Sequence, residues 1–239
     1  MLRLSISFIT IITLFFFTAC GNNSNVKKTN KKVSNSKNKE IDSAVTVIES
    51  SEEIENEFVL TEENAIDFFF EYAKEVKETK AKLTTSLGSF TIELYDNVPY
   101  HKGNFIYLIK EGYFDNTQFH RIVGDFIIQG GNSDDKQTSR KRRKIGRYLL
   151  PPDTRKGHKH HRGTISMPSS ERDNPHKLAS PYEFFIVVTK PGSYHLDGSY
   201  TPFGRVIEGM DVVDKINQVD VDDGDWPMRN IYILKAEVF

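Results

Sequence analysis

Within the thirteen residues from Phe119 to Gly131 (FHRIVGDFIIQGG) the chain places a guanidinium, Arg121, an aromatic ring, Phe126, and a side-chain amide, Gln129. A guanidinium is always charged and presents several N–H groups in a rigid fork, so Arg121 suits a donor aimed at a fixed atom of a ligand. Phe126, five residues on and across a turn, is placed to wall an apolar pocket, and Gln129 offers an amide to grip a backbone. Such a set needs no nucleophile, metal or general base. The rest of the composition agrees. The single cysteine, Cys20, excludes an internal disulfide and a Cys-rich zinc site, and 32 Lys+Arg against 33 Asp+Glu leave no global field to attract nucleic acid.

Three further blocks follow in order: Gly163-Thr164-Ile165-Ser166-Met167, Glu183-Phe184-Phe185-Ile186, and Leu196-Asp197-Gly198 leading into Phe203-Gly204-Arg205-Val206. Together with FHRIVGDFIIQGG they resemble the cyclophilins, the peptidyl-prolyl isomerases, over roughly residues 80–239. The chemistry that this resemblance implies matches the residues. A prolyl bond rotates against a barrier of about 18–20 kcal/mol because the imide nitrogen shares its lone pair with the carbonyl. A catalyst therefore needs an apolar slot for the proline ring and a donor that binds the nitrogen better once it is pyramidal.

By the same resemblance Arg121 is the catalytic arginine, and Gln129 orients it and the substrate. Phe126, Ile127, Phe185 and Leu196 line the proline pocket, with Met167 close by. No cofactor and no metal are implied. The resemblance also implies an eight-stranded closed antiparallel barrel capped by two helices.

The substrate rim departs from the family pattern. Pro181-Tyr182-Glu183 stands where Gly-Ser-Gln is usual, which puts a carboxylate near the expected place of Arg121, to hold it still or compete for its donors. Pro168-Ser169 replaces Ala-Asn, Tyr200 replaces the usual pocket histidine, and His195 replaces the aromatic before Leu196. Ser169, Glu183 and Tyr200 are accordingly read as substrate-binding positions of altered character. Glu183, Pro168 and Tyr200 motivate a competing reading, a cyclophilin-fold module that grips proline-containing segments without turnover.

The elements that must position these residues read as mainly β. Phe90, Ile92 and Leu94 alternate with polar neighbours, and short apolar strands follow at 119–123, 126–129, 164–167, 183–188 and 203–207, with a closing strand at 231–239. Pro99 opens a helix that Gly112 ends, and a short helix lies at 211–217. Many short strands without a βαβ rhythm favour a closed antiparallel barrel. Ahead of it, Thr61 is a fair N-cap, and Ile66, Phe69, Phe70, Ala73 and Val76 recur at helical spacing, which predicts an amphipathic helix over 62–78.

The N-terminus reads as an address. Arg3 precedes an uncharged apolar run, 4–19, and Phe17-Thr18-Ala19-Cys20 resembles the lipobox of bacterial lipoproteins, which implies cleavage before Cys20 and acylation of it. Residues 21–60, first Asn/Lys-rich and then acidic, read as a flexible tether. The domains expected are thus a signal peptide at 1–19, Cys20 and tether at 20–60, a helix at 61–79 and the cyclophilin-like domain at 80–239. The expected partners are proline-containing unfolded or envelope proteins, and a membrane through lipidated Cys20. The expected location is extracytoplasmic, on the periplasmic face if there are two membranes.

Residues 132–162 read as an insertion. From Lys136 to Arg162 it carries eleven Lys/Arg and one acid, Asp153. It is expected to be a solvated basic loop, with docking onto an anionic partner as the sharper alternative. His158, His160 and His161 have no Cys, Asp or Glu cluster nearby to complete a metal site.

Overall fold

The structure, a computed structural model, describes residues 58–170 and 172–239. The apolar N-terminal run, Cys20 and most of the expected tether lie outside the described residues.

Among the described residues eight strands form a closed antiparallel barrel. They are β1 (Lys80–Thr85), β2 (Gly88–Leu94), β3 (Thr117–Val123), β4 (Ile127–Asn132), β5 (Thr164–Ser166), β6 (Phe184–Val187), β7 (Pro202–Glu208) and β8 (Tyr232–Val238). Their order round the barrel is β1-β2-β7-β5-β6-β4-β3-β8, and every pairing is antiparallel. Closure leaves no strand edge open to a stray partner. Four α-helices accompany the strands among the described residues: α1 (Ala65–Glu75), α2 (Pro99–Lys110), α3 (Lys136–Ile145) and α4 (Met210–Asn217).

The interior is aromatic. Phe105 of α2 meets Phe114, Phe184 and Phe203 with ring centroids 5.1, 5.7 and 5.3 Å apart, and Phe119 meets Phe184 edge to face at 6.0 Å. Each such ring, fully withdrawn from water, contributes about 1.5–3 kcal/mol. α2 packs against β7 and β8, while α4 packs against β2, β3 and β4. Gly131 closes the β4 end of the motif. Its φ is +98°, and a Cβ there would lie 2.5 Å from the Tyr182 carbonyl oxygen, so the backbones of β4 and the segment before β6 approach as only glycine permits.

Two expectations are corrected. The helix predicted over 62–78 spans Ala65–Glu75, because Thr61 to Asn64 form a turn in which the Asn64 side chain accepts from Thr61 N–H at 2.7 Å. Its buried face is also rotated. Ala65 and Phe69 are buried, with Phe68, Tyr72 and Val76 partly so, while Ile66 and Phe70 are exposed. The reason is the partner. Phe68 and Tyr72 set their rings against Tyr107 of α2 at 5.2 and 5.6 Å, so tyrosines supply the apolar seam. Phe70 instead lies under the ammonium of Lys74, 4.0 Å from the ring centroid.

The basic stretch after β4 is not simply a solvated loop. Asp135 caps α3 by accepting from Gln137 N–H at 2.9 Å. The ammonium of Lys141 then donates to the carbonyls of Gly112, Asp115 and Tyr113 at 2.6, 2.9 and 3.3 Å, just past the end of α2. Beyond α3, Tyr148 is buried and donates to Asn104 Oδ1 at 2.6 Å. Cations that read as surface charge are therefore partly spent on fixed acceptors inside the domain.

Candidate active site

The register of three strands builds the site. Arg121 of β3 stands opposite Gln129 of β4, and Gln129 stands opposite Phe185 of β6. Residues opposed across antiparallel strands put their side chains on one face, so guanidinium, amide and ring form a row. Ile127, two residues before Gln129 on β4, shares that face and pairs with Val187. Ile127, Phe185 and Val187 form a small apolar cluster of their own, with Val123, Phe126, Leu196 and Tyr200 packed round it.

The turn between β3 and β4 aims Phe126. Asp125 adopts φ 55° and donates its N–H to Asn217 Oδ1 at 2.9 Å. The Asn217 amide in turn donates to the Val123 carbonyl at 2.9 Å, so the end of α4 pins the turn. The opposite wall is the segment carrying Leu196 and Tyr200, fastened by His160. That buried ring reaches Asp197 Oδ1 at 2.8 Å through Nδ1 and Ser166 Oγ at 2.9 Å through Nε2, and it stacks on Phe185. Burial pulls the His160 pKa below the usual imidazole value, partly offset by Asp197.

The result is a cleft of about 420 Å³ lined by Arg121, Phe126, Ile127, Gln129, Pro168, Ser169, Ser170, Arg172, Phe185, Leu196 and Tyr200. Its lining mixes polar side chains, among them Arg121, Gln129 and Ser169, with the apolar Phe126, Ile127, Phe185 and Leu196. Tyr200 sets its ring edge to face on Phe185 at 5.6 Å, and His195 stacks on Phe126 at 5.5 Å. Arg121 holds Asp225 Oδ2 at 3.1 Å from its Nη2 and remains 44% exposed, so donors of the fork still face solvent and cleft.

Most positions read from the sequence converge here: Arg121, Gln129, Phe126, Ile127, Ser169, Phe185, Leu196 and Tyr200 all line the cleft. Two do not. Met167, just past the end of β5, is 1% exposed and belongs to the barrel core, where its sulfur lies 4.0 Å from the Asn104 amide. Glu183 lies behind Gln129 and is absent from the lining; its carboxylate takes the Gln129 and Asn132 amides and lies near His120 and Arg142. The acid against Arg121 is instead Asp225, from the loop after α4. No motif flagged that residue. Nor was His160 readable as a strut, since the HKHH run looks like exposed charge until the chain folds over it.

The sequence model of the cyclophilin type peptidyl-prolyl cis-trans isomerase family matches residues 80–238. The chain is 39% identical over 158 residues to a peptidyl-prolyl cis-trans isomerase of Arabidopsis thaliana, covering 65% of this chain and 91% of that one. It is 36% identical over 172 residues to a peptidyl-prolyl cis-trans isomerase-like protein of Rhizopus delemar, covering 71% of this chain but 31% of that longer protein. Among solved structures, a cyclophilin type peptidyl-prolyl cis-trans isomerase of Cryptosporidium parvum superposes with a TM-score of 0.57 at 26% identity, covering 68% of this chain and 98% of that one. The fold is that of the cyclophilin type peptidyl-prolyl cis-trans isomerases. The chain belongs to the cyclophilin-type family.

Proposed function

We propose that the cleft catalyses cis–trans exchange at X-Pro bonds of extracytoplasmic proteins, with Arg121 donating to the imide nitrogen as the bond twists. The row Arg121–Gln129–Phe185 carries this reading, because it sets a permanent donor at the rim of an apolar slot. Ile127, Phe185, Leu196 and Phe126 hold the proline ring, and Gln129 takes the substrate backbone. A planar imide conjugates its nitrogen lone pair, whereas a twisted one offers it as an acceptor, so the guanidinium stabilises the transition state more than either ground state. Uncatalysed exchange takes tens to hundreds of seconds, slow enough to limit folding. In support, the Cryptosporidium relative was also crystallised in the presence of the dipeptide Ala-Pro.

A protease-coupled assay on a short X-Pro peptide tests this. Arg121→Ala is expected to lower kcat/KM by about 10²–10³-fold, the range for removing one preorganised donor. Equal rates for wild type and variant overturn the catalytic role.

The lipobox-like Phe17-Thr18-Ala19-Cys20 supports a lipid-anchored protein whose clients are exported, proline-containing chains. Mass spectrometry of the mature protein tests it: a diacylglyceryl adduct on an N-terminal Cys20 is expected, and an unmodified Met1 terminus overturns it.

One observation favours a second reading, a module that binds proline segments without turnover. The Asp225 carboxylate already engages Arg121. Under that reading Arg121→Ala leaves the exchange rate at background in both proteins while peptide affinity falls.

A further inference from the structure

Behind Gln129, outside the cleft lining, sits a largely buried carboxylate flanked by donors. Oε2 of Glu183 accepts from Gln129 Nε2 at 2.9 Å and lies 3.4 Å from His120 Nε2. Oε1 accepts from Asn132 Nδ2 at 3.2 Å and lies 3.7 Å from Arg142 Nη2. Arg142 is itself held by the Tyr113 hydroxyl at 2.8 Å. The groups facing Glu183 thus come from β3 (His120), β4 (Gln129, Asn132) and α3 (Arg142).

An ionised carboxylate accepts hydrogen bonds and donates none. Opposite it, the Gln129 amide has one workable orientation, NH₂ toward Glu183 and Oε1 away. A glutamine at position 183 could meet either end of that amide and would leave the orientation open. The charge at 183 therefore removes a degree of freedom that an amide there would permit.

We propose that Glu183 is a positioning residue of the isomerase, locking the Gln129 amide so that its oxygen alone is presented to the cleft and selects a donor, the Arg121 guanidinium or a backbone N–H of bound peptide. This rests on the catalytic reading of Arg121 and Gln129 above. Burial pushes the Glu183 carboxyl up, but the bonds to His120 and Gln129 and the charge of Arg142 outweigh it and hold the pKa below the usual value. The lock is accordingly closed at neutral pH and opens on acidification.

Full-length wild type, Glu183→Gln, Glu183→Asp and Arg121→Ala are compared in the coupled X-Pro assay at neutral pH and by peptide exchange NMR from neutral pH to well below 4.5, where the lowered carboxyl titrates, alongside the side-chain amide NMR signals of Gln129. Glu183→Gln is expected to lose about tenfold in kcat/KM at neutral pH, carried by kcat, and to lack the acid limb of the wild-type profile. Glu183→Asp is expected to recover part of the rate. The Gln129 amide signals are expected to titrate in wild type at acid pH and to be displaced in Glu183→Gln. If Arg121→Ala is inactive while Glu183→Gln stays within twofold of wild type, the positioning role is overturned and the isomerase reading stands. If wild type itself matches Arg121→Ala, the isomerase reading falls and the NMR titration alone decides the lock, unchanged Gln129 signals overturning it. Should Glu183→Gln fail to fold, Glu183→Asp and the wild-type titration decide the same question.

Discussion

The guanidinium of Arg121 lies 3.1 Å from the carboxylate of Asp225, although 104 positions separate them in the chain, and both side chains remain substantially exposed. Ile122 N–H also donates to the Asp225 carbonyl at 2.8 Å, so the loop after α4 is fastened to β3 beside the arginine. The acid restrains the donor and competes for it. An exposed pair of this kind is worth about 0–1 kcal/mol, so the competition is mild and screened by salt.

Asp225→Asn is therefore expected to lower KM for a neutral X-Pro peptide by up to about fivefold, the factor equivalent to 1 kcal/mol. Wild-type kcat/KM should rise with added salt, and the variant should show no such rise. Steady-state kinetics across a salt series, with a Tm change near zero as control, checks both.

His160 ties the Leu196–Tyr200 wall to β5. Truncating it leaves Asp197 and Ser166 short of a partner, at a cost of about 1–3 kcal/mol. His160→Ala should lower Tm and raise KM about tenfold with kcat within twofold, since in the proposed mechanism the wall shapes the slot and Arg121 polarises the bond. His160→Gln, which retains two polar ends, should restore part of the loss.

His101 of α2 is fully buried, and neither ring nitrogen has a hydrogen-bond partner. Burial pulls its pKa from 6.5 to about 3, so the folded protein binds the proton less readily than the unfolded chain. Its contribution is complete above pH 6.5 and is lost progressively as pH falls toward 3, at no more than about 1.4 kcal/mol per pH unit. His101→Phe keeps a ring against Phe203 without the titrating group, and its urea-unfolding free energy should fall less steeply between pH 6.5 and 4 than that of wild type.

Lys141 is the anchor of α3. Lys141→Met keeps the apolar stem and removes the ammonium from three carbonyls at the end of α2. A loss of about 2 kcal/mol follows from hydrogen bonds to a charged donor, or roughly 4–8 °C in Tm for a domain of this size. X-Pro turnover at 25 °C should not change, and calorimetry beside the coupled assay reads both quantities.

The core of the site is local in the chain, and that is why it was legible. Arg121, Phe126 and Gln129 belong to one hairpin, in which antiparallel pairing across a short turn puts 121 opposite 129 as soon as the strands form. The alternation of Phe90, Ile92 and Leu94, and the proline and glycine flanking α2, likewise act through neighbours a few residues away, so barrel and capping helices could be read without a structure. What surrounds that hairpin is not local. Asp225, His160 and Glu183 reach the site only when the barrel closes, and an acid or histidine in a sequence carries no mark of the partner that folding will bring it. Met167 shows the converse: its motif was recognised, but whether the residue just after β5 meets cleft or core depends on how the pairing of β5 with β6 and β7 sets it in the barrel. For α3 the obstacle was charge, since helical spacing is read from apolar residues and this helix buries only Thr138 and Ile145. Short-range patterning thus determined the hairpin that carries Arg121, Phe126 and Gln129. Long-range closure decided which charges hold them still.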